Sequence, residues 1–256
     1  MKKNVLLLIL ILCNVTIEAK QVIDTLVNGN DTLLTFKNYN ENGILTGVSR
    51  YKNWEAHEYQ EEYYNDGSLK SKTKYDHNCP MGKFIEYHEN QNVKLTYKYI
   101  DCEIHGVSLH LSSKGDTLGL NYYENGKPVG IHRSWHLNGK SQSITHFNNQ
   151  GQRHGLRETW REDGTRIDST RYENGRIVEI REYFYYGSIR QFMRDEDGAL
   201  DSAAFYDPEG NITGKIINGT GKAIGYSEDG NKRWFDSYEN GVRIDSRELK
   251  PGENPF

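Results

Sequence analysis

Along most of this chain apolar and polar residues alternate in short runs. Ile131, Arg133, Trp135 and Leu137 share one parity, with His132, Ser134 and His136 on the other. Val107, Leu109 and Leu111 fall on one face of their run, as do Val93, Leu95, Tyr97 and Tyr99. A period of two marks a β-strand with one face covered, and no stretch has a helical period that would displace this reading. Polar-glycine punctuation separates the runs. Asn28-Gly29-Asn30-Asp31 is a turn cluster, and Asn42-Gly43 is the dipeptide preferred in type I′ hairpins, where both central residues need positive φ. From about Val22 onward the chain therefore reads as strand, turn, strand.

The pattern also recurs. Residues 123–139 read YENGKPVGIHRSWHLNG and residues 147–164 read FNNQGQRHGLRETWREDG. A turn glycine falls at Gly43, Gly67, Gly115, Gly139 and Gly164, with Gln91 standing in once, so the steps are 24, 24, 24, 24 and 25 residues. One aromatic column runs Tyr39, Tyr63, Tyr87, Trp135, Trp160, and a second runs Tyr51, Tyr75, Tyr99, Tyr123, Phe147, Tyr172. A fixed period of this size signals a stacked array. A lone hairpin cannot bury its apolar face, so the units must stack. The expectation is an all-β, elongated array of stacked antiparallel β-hairpins, about eight repeats of ~24 residues. Each unit should have a tight turn at its polar-glycine end and a looser one at its Asn-Gly-x-x-x-Gly end. Residues 20–35 would form an N-terminal strand and cap, 36–182 the regular repeats, 183–197 an irregular junction, 198–250 degenerate closing repeats, and 251–256 a tail.

Composition changes this picture little. The 18 Tyr and 25 Gly against 5 Pro suit half-wet faces and turns. A formal net charge of −4 offers no basic stripe for nucleic acid or an anionic membrane. The first residues matter more. Lys2 and Lys3, the apolar run Val5 to Leu12 and the small Ala19 read as a secretory signal over 1–19, with the run too short to span a membrane. Cys13 follows a bulky Leu12, which argues against lipid anchoring. The mature chain is expected to be exported, to a periplasmic, outer-surface or secreted location, without an integral membrane segment.

Candidate chemistry is sparse. His57, His105 and His154 recur two units apart, about 20 Å in a stacked sheet, too far to share a metal. His132 and His136 are likewise too far apart on a strand, so loop histidines are expected and neither a metal nor a cofactor. Glu158, Glu162 and Asp168 lie near Trp160 and read as solvated strand charges. Cys79 and Cys102 fall in the looser turns of adjacent units. Export would permit a disulfide, yet equivalent positions one unit apart sit about 10 Å apart, beyond the reach of a bridge. The spacing leaves their pairing open.

The segments Tyr123-Glu124-Asn125-Gly126-Lys127, Gly130, Trp135 and Asn138-Gly139-Lys140, with Tyr172-Glu173-Asn174-Gly175 and Tyr238-Glu239-Asn240-Gly241, resemble the MORN-variant repeat of the bacterial YwqK-family antitoxin-like proteins. The resemblance covers roughly 36–247 and is strongest from 63 to 176. It implies hairpin arrays that act as scaffolds or binding surfaces without a shared catalytic residue. The expected function is a non-enzymatic, exported, antitoxin- or immunity-like scaffold that binds another protein or a cell-envelope component through Tyr63, Tyr87, Trp135, Trp160, Tyr123 and Tyr172. The alternative is a carbohydrate or cell-wall binding module using the same aromatics. An uncovered aromatic row would also invite homodimerisation.

Overall fold

The structure, a computed structural model, describes residues 20–196 and 199–256. The expected leader, Cys13 included, lies outside the described residues. The fold is all-β and antiparallel, with twenty-two strands and no helix among the described residues. The chain divides into two compact units, residues 1–127 and 128–256.

In the first unit the strands are β1 (Lys20–Asn28), β2 (Asp31–Tyr39), β3 (Leu45–Lys52), β4 (Glu55–Ala56), β5 (Glu58–Tyr63), β6 (Leu69–Asp76), β7 (Cys79–Tyr87), β8 (Val93–Ile100), β9 (Glu103–Leu111) and β10 (Thr117–Glu124). Each pairs with its sequence neighbour, and β3 meets both β4 and β5. The two-residue β11 (Lys127–Pro128) spans the boundary. The second unit contains β12 (Gly130–Trp135), β13 (Ser141–Phe147), β14 (Arg153–Trp160), β15 (Arg166–Glu173), β16 (Arg176–Tyr183), β17 (Ile189–Glu196), β18 (Ala199–Tyr206), β19 (Ile212–Ile217), β20 (Thr220–Tyr226), β21 (Arg233–Glu239) and β22 (Val242–Glu248). These also pair in sequence order. In the expected irregular junction, the described residues 183–196 hold the end of β16, a turn closed by Phe184 N–H to Ser188 O, and β17.

The two turn types are the reverse of the expectation. The polar-glycine ends are wider loops. In the loop at 64–68 Tyr64 N–H donates to Ser68 O, and Gly67 N–H donates back to Tyr64 O. Only the glycine there has positive φ, so Asn42-Gly43 does not form a type I′ turn. A polar side chain replaces the second positive φ. Asn40 Oδ1 accepts from the N–H of Asn42 and of Ile44, and Asp66 Oδ1 accepts from the N–H of Ser68. The Asn-Gly ends are the two-residue turns, with both central residues at positive φ: Asn125 47° and Gly126 74°, Asn174 47° and Gly175 87°. At 148–152 one extra residue converts this end into the wider loop, which accounts for the 25-residue step.

The disulfide follows from that geometry. Cys79 and Cys102 are bonded, with Cα atoms 4.9 Å apart. The β7–β8 register pairs Gly82 with Tyr99, and continued three residues it sets Cys79 opposite Cys102. Twenty-three residues here are one out-and-back trip along a hairpin, so the cysteines are one strand spacing apart, and the estimate of about 10 Å for two strands does not apply.

Inter-repeat bonds tie the ladder sideways. Tyr64 OH donates to Tyr87 O (2.6 Å), His88 Nε2 to Leu111 O (2.9 Å) and His136 Nε2 to Trp160 O (2.8 Å), each reaching the residue just before its own counterpart one unit on. A carbonyl only accepts, so those imidazoles carry their proton on Nε2. Full burial is concentrated in the second unit, around Phe184 and the cluster Ala203, Phe205, Ile216 and Ala223. Gly214 and Gly221 allow the strands of that cluster to close. A Cβ on Gly214 would lie 2.3 Å from Ala223 Cα, and one on Gly221 would lie 2.2 Å from Lys215 O.

Candidate functional site

The six candidate binding aromatics belong to the two columns read from the sequence. Tyr63, Tyr87, Trp135 and Trp160 each sit beside a wide loop, half-buried. Tyr123 and Tyr172 pair with Gly106 and Gly155, near the opposite ends of the strands. Gly155 and Trp160 differ by an odd number of residues along β14, so Tyr172 and Trp160 face opposite sides of the sheet. Tyr172 is buried, with the Arg153 guanidinium 5.5 Å from its ring centre. Arg166 lies over Trp160 at 5.8 Å.

A concave site lies elsewhere in the second unit. A groove of about 400 Å³ runs between β16–β18 and β21–β22, lined by Ile177, Glu179, Ile180, Met193, Arg194, Asp195, Leu200, Tyr238, Gly241 and Arg243. Its shape comes from the return of the chain. The Asn240-Gly241 turn rests on the start of β18, where a Cβ on Gly241 would lie 3.0 Å from both Ala199 Cβ and Leu200 O. Met193, Leu200 and Tyr238 form the floor and continue into the buried cluster beneath. Charged groups stand around this apolar floor. Glu179 is only 8% exposed and is ion-paired, with Arg181 Nη1 2.5 Å from its Oε1 and Arg194 Nη2 3.9 Å from its Oε2. Asp236, two residues before Tyr238 on β21, has a buried oxygen 3.7 Å from Arg243 and without a hydrogen bond. Burial, reinforced by the Asp236 charge, pushes the Tyr238 hydroxyl pKa upward. The combination of an apolar floor and a few converging polar groups is typical of a ligand site.

A second, polar cleft of about 260 Å³ lies in the first unit, lined by Asp31, Lys52, Asn53, Glu55, His57 and His77. Asn53 holds it together, accepting from Thr32 N–H at 2.8 Å and donating to Asp31 Oδ1 at 3.1 Å. Lys52 Nζ is 3.0 Å from the other Asp31 oxygen. The bonds from Lys52 and Asn53 hold the Asp31 carboxyl below its usual range. Asp76 Oδ1 meets both imidazoles, His57 Nδ1 at 3.2 Å and His77 Nδ1 at 2.9 Å. The histidine column thus has two roles. His105 and His154 accept from the turn N–H of Asn125 and Asn174, twenty residues on, whereas the residue twenty after His57 is itself a histidine.

Two of the three carboxylates near Trp160 are spent on pairing. Glu158 bonds Arg166 at 2.9 Å, and Asp168 takes Arg157 at 2.9 Å together with the Thr159 hydroxyl. Among the described residues no group of three or more His, Cys, Asp or Glu side chains could hold a metal ion, and no helix is long and apolar enough to cross a membrane.

No family model and no curated protein matches the chain. Among solved structures, a porin-like protein from Bacteroides uniformis ATCC 8492 aligns with 90% of this chain and 96% of that one, at 8% identity and a TM-score of 0.17. A likeness that slight carries no argument about this chain.

Proposed function

We propose that the chain is an exported, non-enzymatic repeat scaffold, antitoxin- or immunity-like, whose second unit binds an extended segment of a partner protein in the groove between β16–β18 and β21–β22. The observation that carries this reading is the apolar lining of Ile177, Ile180, Met193, Leu200 and Tyr238, accompanied by side chains of both signs. Glu179 and Asp195 balance Arg194 and Arg243, so the groove favours a segment with apolar anchors and mixed flanking charge over a strongly acidic or basic one. Apolar pockets with a polar rim are where interface energy concentrates. The Cys79–Cys102 bond supports the export reading, since disulfides persist in oxidising compartments.

The test is selection of displayed peptides on immobilised chain 20–256, with Leu200→Glu as the control. A convergent apolar motif that binds the wild-type chain and is lost on the control supports the proposal. No convergent motif, or equal binding to L200E, refutes it.

A further inference from the structure

The two-residue turns of the first unit recur every 24 residues, so their second positions are comparable: Trp54, Asn78, Cys102 and Gly126. All have positive φ, the region that favours glycine and penalises bulky side chains. Gly126 needs no explanation. Asn78 uses its place to accept from Ala56 N–H at 2.7 Å, and Cys102 uses its place for the disulfide. Trp54, at φ 69°, is the bulkiest of the four and is 73% exposed. Its indole has no hydrogen bond or ring partner among the described residues. A large ring held in a costly conformation and presented to water is the kind of local violation that structures keep for function.

Its neighbours indicate what it would bind. Trp54 lies in the chain between Asn53 and Glu55, both of which line the polar cleft with Asp31, Lys52, His57 and His77. The cleft offers carboxylate acceptors, ammonium and amide donors, and imidazoles able to do either. Asn53, bonded to Thr32 and Asp31, ties the turn that carries the indole to the neighbouring strand.

We infer that this turn edge is a carbohydrate-binding site, with Trp54 as the stacking surface for the C–H face of a sugar ring and Glu55, His57 and His77 as hydroxyl partners. A sugar presents both an apolar ring face and hydroxyls that donate and accept, which matches this mixture. Asp31, Glu55 and Asp76 against Lys52 leave two net negative charges when the histidines are neutral, so neutral or amine-bearing rings are favoured over acidic ones. The site is separate from the groove of the second unit and does not depend on it.

The test titrates chain 20–256 with a neutral cellulose oligomer, an amine-bearing chitosan oligomer and an acidic galacturonate oligomer, followed by calorimetry. Binding of the neutral or amine-bearing oligomer is expected. Trp54→Gly should weaken it about tenfold or more, as truncation of a tryptophan anchor does. Glycine suits the same φ, so this variant keeps its turn, and unchanged circular dichroism would show that the loss is not unfolding. Glu55→Gln should weaken binding while leaving Trp54 in place, and Trp135→Phe should leave it within about twofold, a change too small to reflect a lost anchor. Failure of all three oligomers to bind, preference for the acidic one, or binding that survives W54G would overturn the inference.

Discussion

Removing the Cys79–Cys102 bond should loosen the first unit and leave the second unchanged. The bond closes a 23-residue separation, for which chain-entropy arguments give about 3 kcal/mol of stabilisation at 25 °C. Residual pairing of β7 with β8 in the reduced unfolded chain would trim that figure, so ~2–3 kcal/mol is the working value. The turn beside the bond carries His77 and Asn78, and Asn78 holds Ala56 through both its backbone N–H and its Oδ1. Amide hydrogen exchange by mass spectrometry would follow peptides from β6–β9 and, as an internal reference, from β14–β16, with and without reductant. At about 1.4 kcal/mol per factor of ten, ~2–3 kcal/mol should speed exchange in β6–β9 by roughly 30- to 140-fold, spreading to Ala56, with β14–β16 unchanged. Equal acceleration in both regions, or none in β6–β9, would refute the reasoning. Cys79→Ser with Cys102→Gly should lose less than reduction does, because glycine removes the backbone strain at φ 67°.

Three further outcomes are expected. Phe184→Ala removes a fully buried ring that stacks on Tyr186 at 5.2 Å, and should cost about 3–5 kcal/mol in urea unfolding of the second unit. His136→Phe deletes the donor to Trp160 O and should cost about 1 kcal/mol by thermal melting. Bonds from the Ser227 hydroxyl and Asn231 depress the Asp229 carboxyl pKa to about 2, so its contribution to the 227–232 loop is present above the ordinary 3.8 and disappears as pH falls through about 2. Carboxyl NMR titration should find that midpoint, and Asp229→Asn should abolish the loop's acid sensitivity in this range.

The fold was legible because two independent periods agreed. Alternation at Val107, Leu109 and Leu111 marked a strand, and the 24-residue glycine step marked the stacking. The turn types are not legible from Asn42-Gly43 as an isolated dipeptide. Its neighbour Asn40 supplies the hydrogen bonds that make a wider loop sufficient, and side-chain acceptors of this kind are visible in the sequence only once sought. Trp54 was also findable, since subtracting 24 three times from Gly126 lands on it and predicts its positive φ. The groove was not. It depends on β21–β22 returning over β17–β18, and no local pattern reports which distant strand covers Met193 or Leu200. The aromatic columns are legible as a period, but period alone does not say which face of the sheet a position takes or how much of the ring its neighbours cover.

The most direct test of the groove is a hydrogen-exchange footprint of chain 20–256 with and without a saturating amount of its best selected peptide. The account predicts slowed exchange confined to residues 177–180, 193–195 and 238–243, lost in Leu200→Glu. Protection at the Trp135 and Trp160 columns instead, or a bound peptide that protects none of those groove segments, would contradict it.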